Sequence, residues 1–145
     1  MMGRVERSTE IRAPPEKLWH AAYWNRVPEY WDGIKRAEYT SGKPGLGAIA
    51  HIWSELAGQK DEGDAETTEW IENRKHSWRI LNGNMKAYGT LTLDPIESGT
   101  LAKFVVDYSL PYSVFGKLMD KLRVSKEMNG MVERAMIKLK ETAEQ

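Results

Sequence analysis

The chain contains three histidines, His20, His51 and His76, and no cysteine. No two histidines stand in an H-x-x-x-H or H-E-x-x-H arrangement, so a metal centre would need carboxylates converging from separate segments. Without a thiol there is neither a thiolate ligand nor a cysteine nucleophile. No metal and no cofactor are expected. The stretch Ser41-Gly42-Lys43-Pro44-Gly45-Leu46-Gly47 is glycine-rich, but it precedes a strand and lacks the residue order of a phosphate loop, so it reads as a hairpin loop. Tyr39 and Lys43 have the Tyr-x-x-x-Lys spacing of some dehydrogenases with no dinucleotide fingerprint before them, and there is no G-x-S-x-G elbow. Asp61-Glu62-Gly63-Asp64 lacks the ligand ladder of a calcium loop and reads as a solvated hairpin tip. His51, Arg79 and Tyr108 are the candidates for acid or base work. No two of them form a recognisable pair, and no residue is assigned as catalytic.

The aromatic content stands out: six Trp, six Tyr and two Phe. Trp19, Tyr23, Tyr30 and Trp31 cluster early in the chain, while Trp53, Trp70, Trp78, Phe104 and Tyr108 fall in β-rich stretches. Large rings of this kind either build a core or line a cavity, where indole and phenol groups leave a polar tip for a ligand. Both readings stand at the level of sequence.

The elements that would position these rings follow from periodicity. Residues 4–12 alternate, with Val5, Arg7, Thr9 and Ile11 on one side of a strand. Ala13-Pro14-Pro15-Glu16 ends it and opens a short helix carrying Leu18, Trp19, Ala22 and Tyr23. Pro28 and Asp32-Gly33 set off a second helical piece holding Tyr30 and Trp31. From Ile34 to Leu110, closely spaced turn signals predict an antiparallel meander, which with the first strand makes about seven strands. Met85, Ala87, Gly89, Leu91 and Leu93 should face inward, as should Ala102, Phe104, Val106, Tyr108 and Leu110. Gly89 in mid-strand implies a bend or a close backbone approach. Trp78 alternates with Ile80, whereas the faces of Trp53 and Trp70 stay open because both alternating sets there contain large apolar groups. After Leu110-Pro111 the period becomes 3.6, and Phe115, Leu118, Met119, Leu122, Met128, Val132, Ala135, Met136 and Leu139 fall near one stripe through Ala143. That predicts one amphipathic helix of about 30 residues, with basic residues such as Lys117, Lys126 and Lys138 on its polar face.

Length and composition narrow the function classes. A chain of 145 residues fits one domain, residues 1–145, against a prior of about 100–200 residues per domain. Lys plus Arg and Asp plus Glu balance at 21 each, so no global field recruits nucleic acid. No apolar run approaches the roughly 18 residues of a membrane span, and no signal-like segment opens the chain. The expected setting is cytoplasmic, consistent with the lack of cysteine, with no stable membrane insertion.

Several stretches resemble one family. Ile11-Arg12-Ala13-Pro14-Pro15-Glu16-Lys17-Leu18-Trp19 is similar to the first strand-to-helix junction of the helix-grip domains, and Asn25 to Tyr39 is similar to their second helix and second strand. Leu110-Pro111-Tyr112-Ser113-Val114-Phe115-Gly116-Lys117-Leu118 resembles the approach to the long helix in the polyketide cyclase/dehydrase and lipid-transport branch of the START-like (SRPBCC) superfamily, and Ile137-Lys138-Leu139-Lys140-Glu141 resembles its end. The resemblance implies an α+β helix-grip fold: a curved antiparallel sheet of about seven strands wrapped around a long C-terminal helix, with two short helices after the first strand. It also implies an apolar cavity between sheet and helix. The leading expectation is a non-enzymatic binder or carrier of a small hydrophobic molecule, whether lipid, isoprenoid or polycyclic aromatic, with Trp53, Trp70, Trp78, Leu91, Phe104, Tyr108, Met119 and Leu122 lining the cavity. A cyclase or dehydratase and a chaperone-like module with an unidentified protein partner are the alternatives.

Overall fold

The computed structural model describes residues 2–56, 58–109 and 121–145, the side chains of Met2, Lys121 and Leu122 excepted. Strand β1 (Met2–Ile11) leads into a single helical turn, α1 (Pro15–Leu18), and two 3-10 turns, Trp19–Ala22 and Trp24–Glu29. Six strands follow: β2 (Ile34–Tyr39), β3 (Ile49–Leu56), β4 (Gln59–Ile71), β5 (Lys75–Ile80), β6 (Lys86–Ile96) and β7 (Gly99–Ser109). Helix α2 (Lys121–Ala143) completes the order. The seven strands form an antiparallel sheet in the order β1-β7-β6-β5-β4-β3-β2, so each strand after the first lies beside its neighbour in sequence, and β1 closes onto β7 from Ile11 opposite Thr100 to Met2 opposite Ser109. This is the helix-grip α+β architecture.

The expected alternation holds along β6 and β7. Ala87, Leu91, Leu93, Ala102, Phe104, Val106 and Tyr108 are buried, and Val5 and Ile11 of β1 join them. Pro14 stands extended before α1 and Pro15 occupies its first turn, where a missing N–H costs nothing. The second short element differs from expectation. Pro28 lies inside the 3-10 turn instead of ending it, and Tyr30 and Trp31 follow the turn, their N–H groups donating to the Val27 carbonyl at 3.1 and 2.9 Å. A 3-10 turn tolerates proline because few of its N–H groups need partners.

The acidic stretch is a correction. Asp61-Glu62-Gly63-Asp64 is not a hairpin tip but lies within β4, where Gly63 opposes Ile52. The reversal is made nearby by Gly58, whose φ of 82° only glycine adopts readily, and this leaves the acids in extended backbone.

Of the long helix, the part expected from Phe115 to Asp120 lies outside the described residues. From Lys121 onward, Val124, Met128, Val132, Ala135, Met136, Leu139 and Ala143 are buried at helical spacing. The helix end is pinned to β1, since Lys140 Nζ donates to the Glu10 carbonyl at 2.6 Å and the Arg12 N–H donates to Glu144 Oε2 at 2.9 Å.

Candidate functional site

A cavity of about 100 Å³ lies between the inner face of the sheet, the 3-10 turns and α2. Ile52 of β3, Trp78 and Ile80 of β5, Leu91 of β6 and Phe104 and Val106 of β7 form its floor. Trp24, Val27, Tyr30 and Trp31 cover it from the turn region, and Met128 and Met131 from α2. The turn region is held against the sheet by polar contacts: the Trp24 N–H donates to the Tyr39 hydroxyl at 2.9 Å and Thr100 Oγ1 donates to the Ala13 carbonyl at 2.6 Å, while within the region the buried Tyr30 hydroxyl ties the two 3-10 turns by donating to the Ala21 carbonyl. Burial holds the Tyr30 hydroxyl far above the ordinary tyrosine range, so it stays protonated.

The aromatic rings meet edge-on in a connected series. Trp19 packs on Trp70 with centroids 4.9 Å apart, Trp70 on His76 at 5.6 Å, His76 on Trp24 at 5.6 Å and Trp24 on Trp78 at 5.6 Å. Trp31 meets Phe104 in the same way at 5.3 Å. Such edge-to-face pairs fix ring orientation as well as filling space. Gly89 explains how Trp78 is seated. The two are cross-strand partners, and a Cβ on Gly89 would lie 2.5 Å from the Trp78 ring. The close approach expected at this glycine is therefore an indole laid across bare backbone.

The lining surface is mostly apolar, and its polar side chains are Ser54, Glu55, Asp61, Glu62, His76 and Asn82. His76, only 3% exposed, pairs its Nε2 with Thr67 Oγ1 at 2.9 Å, and its Nδ1 has no partner among the described residues. Burial pushes the imidazole down to about 4, so it is neutral at physiological pH. The indole Nε1 atoms of Trp19 and Trp24 are buried without hydrogen-bond partners among the described residues. At the mouth, Asp61 shares the inner face of β4 with Gly63, and its carboxylate accepts from the backbone N–H groups of Glu62, Asn84 and Met85 at 3.0 to 3.2 Å. Among the described residues no lysine or arginine lines the cavity. No group of three His, Asp or Glu side chains among them is arranged to hold a metal ion.

The structure brings three of the sequence-selected residues together: Trp78, Leu91 and Phe104 all line the cavity. Trp70 stands one layer back, its ring against Trp19, Tyr23 and His76. It reaches the inner face because a bulge between Thr67 and Glu69 shifts the β4 register and reverses the alternation. Trp53 does not belong to the cavity: Ile52 and Ser54 face inward, and Trp53 lies on the outer face with the Arg36 guanidinium 4.7 Å above its ring and His51 at its edge. Tyr108 is buried on the inner face but covers Gly3, where a Cβ would run into its ring, and it is not part of the lining. Met119 and the Leu122 side chain lie outside the described residues. The acid–base candidates are also placed apart from the cavity, His51 between Asp64 and Glu62 and Arg79 beside Glu66. Among the lining residues, His76, Trp24 and Met131 are ones that pattern reading passed over, whereas Met85 and Met128 were expected to face inward without being chosen for the site. For His76 a signal existed, since it shares an alternation with Trp78 and Ile80.

Residues 2–144 match the family described as polyketide cyclase / dehydrase and lipid transport. The chain belongs to that family. A curated relative, an uncharacterized 17.2 kDa protein of the melC2-rnhH intergenic region of Streptomyces lincolnensis, is 29% identical over 140 residues, covering 92% of this chain and 87% of the relative. Among solved structures, TTHA0849 from Thermus thermophilus superposes with a TM-score of 0.78 at 25% identity, covering 99% of this chain and 97% of that one. A START superfamily protein from Mycobacterium smegmatis gives 0.76 at 18% identity over 98% and 97% of the two chains. As a polyketide cyclase/dehydrase and lipid-transport family member, the chain keeps the helix-grip frame over its described length, with Trp24, Trp31 and Trp78 in the cavity wall.

Proposed function

We propose that this protein binds or carries a small hydrophobic molecule in the cavity between sheet and α2 without transforming it chemically, in a cytoplasmic setting. The observation that carries this reading is the enclosure of an apolar space by ordered aromatic rings from three separate elements, with a single neutral imidazole among them. An empty cavity of about 100 Å³ costs about 2.4 kcal/mol at roughly 24 cal/mol per Å³, which a domain stable by about 5–15 kcal/mol sustains. The protein can therefore fold unloaded, as a reversible carrier must. The acid–base candidates expected for a cyclase sit outside the lining, which favours binding over catalysis.

The test is titration of the purified chain with uncharged hydrophobic compounds, from one ring to a ten-carbon chain, read by tryptophan fluorescence and melting temperature. At about 100 times the dissociation constant a ligand adds roughly 2.7 kcal/mol, a rise of several degrees at about 2–4 °C per kcal/mol. Trp78→Ala should weaken binding and Lys86→Ala, on the outer face, should not. Absence of any saturable response across the series would remove the carrier reading, and chemical alteration of a bound compound would replace it with the cyclase one.

A further inference from the structure

We propose that the cavity selects uncharged aromatic molecules of about one ring bearing a hydroxyl or carbonyl oxygen, which His76 Nδ1 meets, and that it rejects carboxylates. This rests on the cavity being a ligand site and names the class of ligand. Three observations carry it.

The first is the sign of the charge along the wall. Asp61 is held at the mouth by three backbone N–H groups, and no cation among the described lining residues offsets it. Arg7, whose side chain reaches from β1 to α2, is committed to Asn129 Oδ1 at 2.8 Å and to the Glu6 carbonyl, and it does not line the cavity. An anion entering would lose its hydration in an apolar space, meet no counter-charge among the described lining residues and pass a fixed carboxylate. The second observation is polar geometry. His76 is nearly fully buried, its Nε2 is occupied by Thr67, and its Nδ1 is left to serve an oxygen that enters the cavity. Neutral imidazole can donate from or accept at this nitrogen, depending on the direction of the Thr67 bond, so hydroxyl and carbonyl groups both suit it. The third is size and surface. About 100 Å³ lies below the roughly 150 Å³ that takes benzene in an engineered apolar cavity, which makes one ring the upper bound on the guest, and the walls from Trp24, Trp31, Trp78 and Phe104 favour an aromatic guest through edge-to-face contact.

Three probes of nearly equal shape separate these terms at pH 7: p-xylene, p-cresol, whose phenol is neutral like that of tyrosine, and p-toluate, ionised like Asp and Glu side chains. Binding is measured by fluorescence titration and calorimetry on the intact chain. We expect p-cresol to bind about five- to tenfold more tightly than p-xylene, and p-toluate about a hundredfold more weakly than p-cresol. His76→Phe should abolish the advantage of p-cresol over p-xylene, bringing the ratio of their affinities to about one whatever its effect on the two together. Asp61→Asn, which keeps an acceptor for the backbone N–H groups, should raise p-toluate affinity relative to that of p-xylene measured in the same variant. If p-toluate binds as well as p-cresol, the charge selection is wrong while the cavity remains a ligand site. If p-xylene equals p-cresol in the native chain, the role of His76 is wrong. If none of the three binds while larger uncharged compounds do, the one-ring size is wrong, and if nothing uncharged binds at all, the carrier reading falls with it.

Discussion

His76 and His51 titrate in opposite directions, and each leaves a separate mark on stability. His76 is held near 4 in the folded chain by burial, whereas an unfolded histidine titrates near 6.5. Below pH 6.5 the unfolded chain therefore takes up a proton that the folded chain refuses, and stability falls as pH drops from 6.5 to 4, by on the order of 3 kcal/mol in all. Thermal melts across this window should show the loss, and His76→Phe should flatten it, leaving the smaller slope of His20, which burial also lowers. His51 is raised by hydrogen bonds to Asp64 and Glu62, so its contribution is complete below pH 6.5 and disappears as pH rises through its folded value. His51→Gln should reduce the fall in melting temperature on the alkaline side of 6.5 and not affect the acid limb. The face of His76 was legible from its alternation with Trp78 and Ile80, but its depth of burial and the carboxylate partners of His51 emerge only from the fold. His51 alternates with Trp53 and faces out, while His76 alternates with Trp78 and faces in.

At the scale of elements, regular alternation and helical spacing were readable wherever no irregularity intervened. The inward sets of β6 and β7 and the α2 stripe from Met128 to Ala143 stand as the pattern required. Trp70 was undecidable because the bulge at Thr67/Glu69 changes the phase partway along β4, and such a bulge has no hydrophobic signature. The 3-10 turn Trp24–Glu29 hid Trp24 for a similar reason, since a turn too short for a periodic stripe gives no face to count. Two substitutions test the element packing. Val132→Asp puts a charge on the fully buried stripe of α2 and should cost several kcal/mol, whereas its exposed neighbour Glu133→Gln should stay within about 0.5 kcal/mol in denaturant unfolding. Gly89→Ala sets a methyl 2.5 Å from the Trp78 ring and 3.0 Å from the Val105 carbonyl. It should cost about 1–3 kcal/mol and shift the tryptophan emission, because the ring must move into the cavity.

For the molecule as a whole, the frame and the filling carry different information. The frame follows from strand count, helix position and two junction motifs, and it is shared at 25% identity with TTHA0849. The filling depends on which large side chains point inward, and here they leave only about 100 Å³. Cavity size is thus set by side-chain identity on a common frame. The closure of β1 onto β7 has a further consequence, for the chain while it is being made. The first strand leaves the ribosome with its edge unpaired, and its partner Thr100 to Ser109 appears roughly ninety residues later, which at about 5–20 residues per second is on the order of 5–20 s of synthesis. During that interval the Val5 and Ile11 side of β1 has neither sheet nor helix to cover it. Nascent chains arrested before Gly99 should remain protease-sensitive and bound to chaperones, and release from both should come only after β7 and then α2 have cleared the exit tunnel.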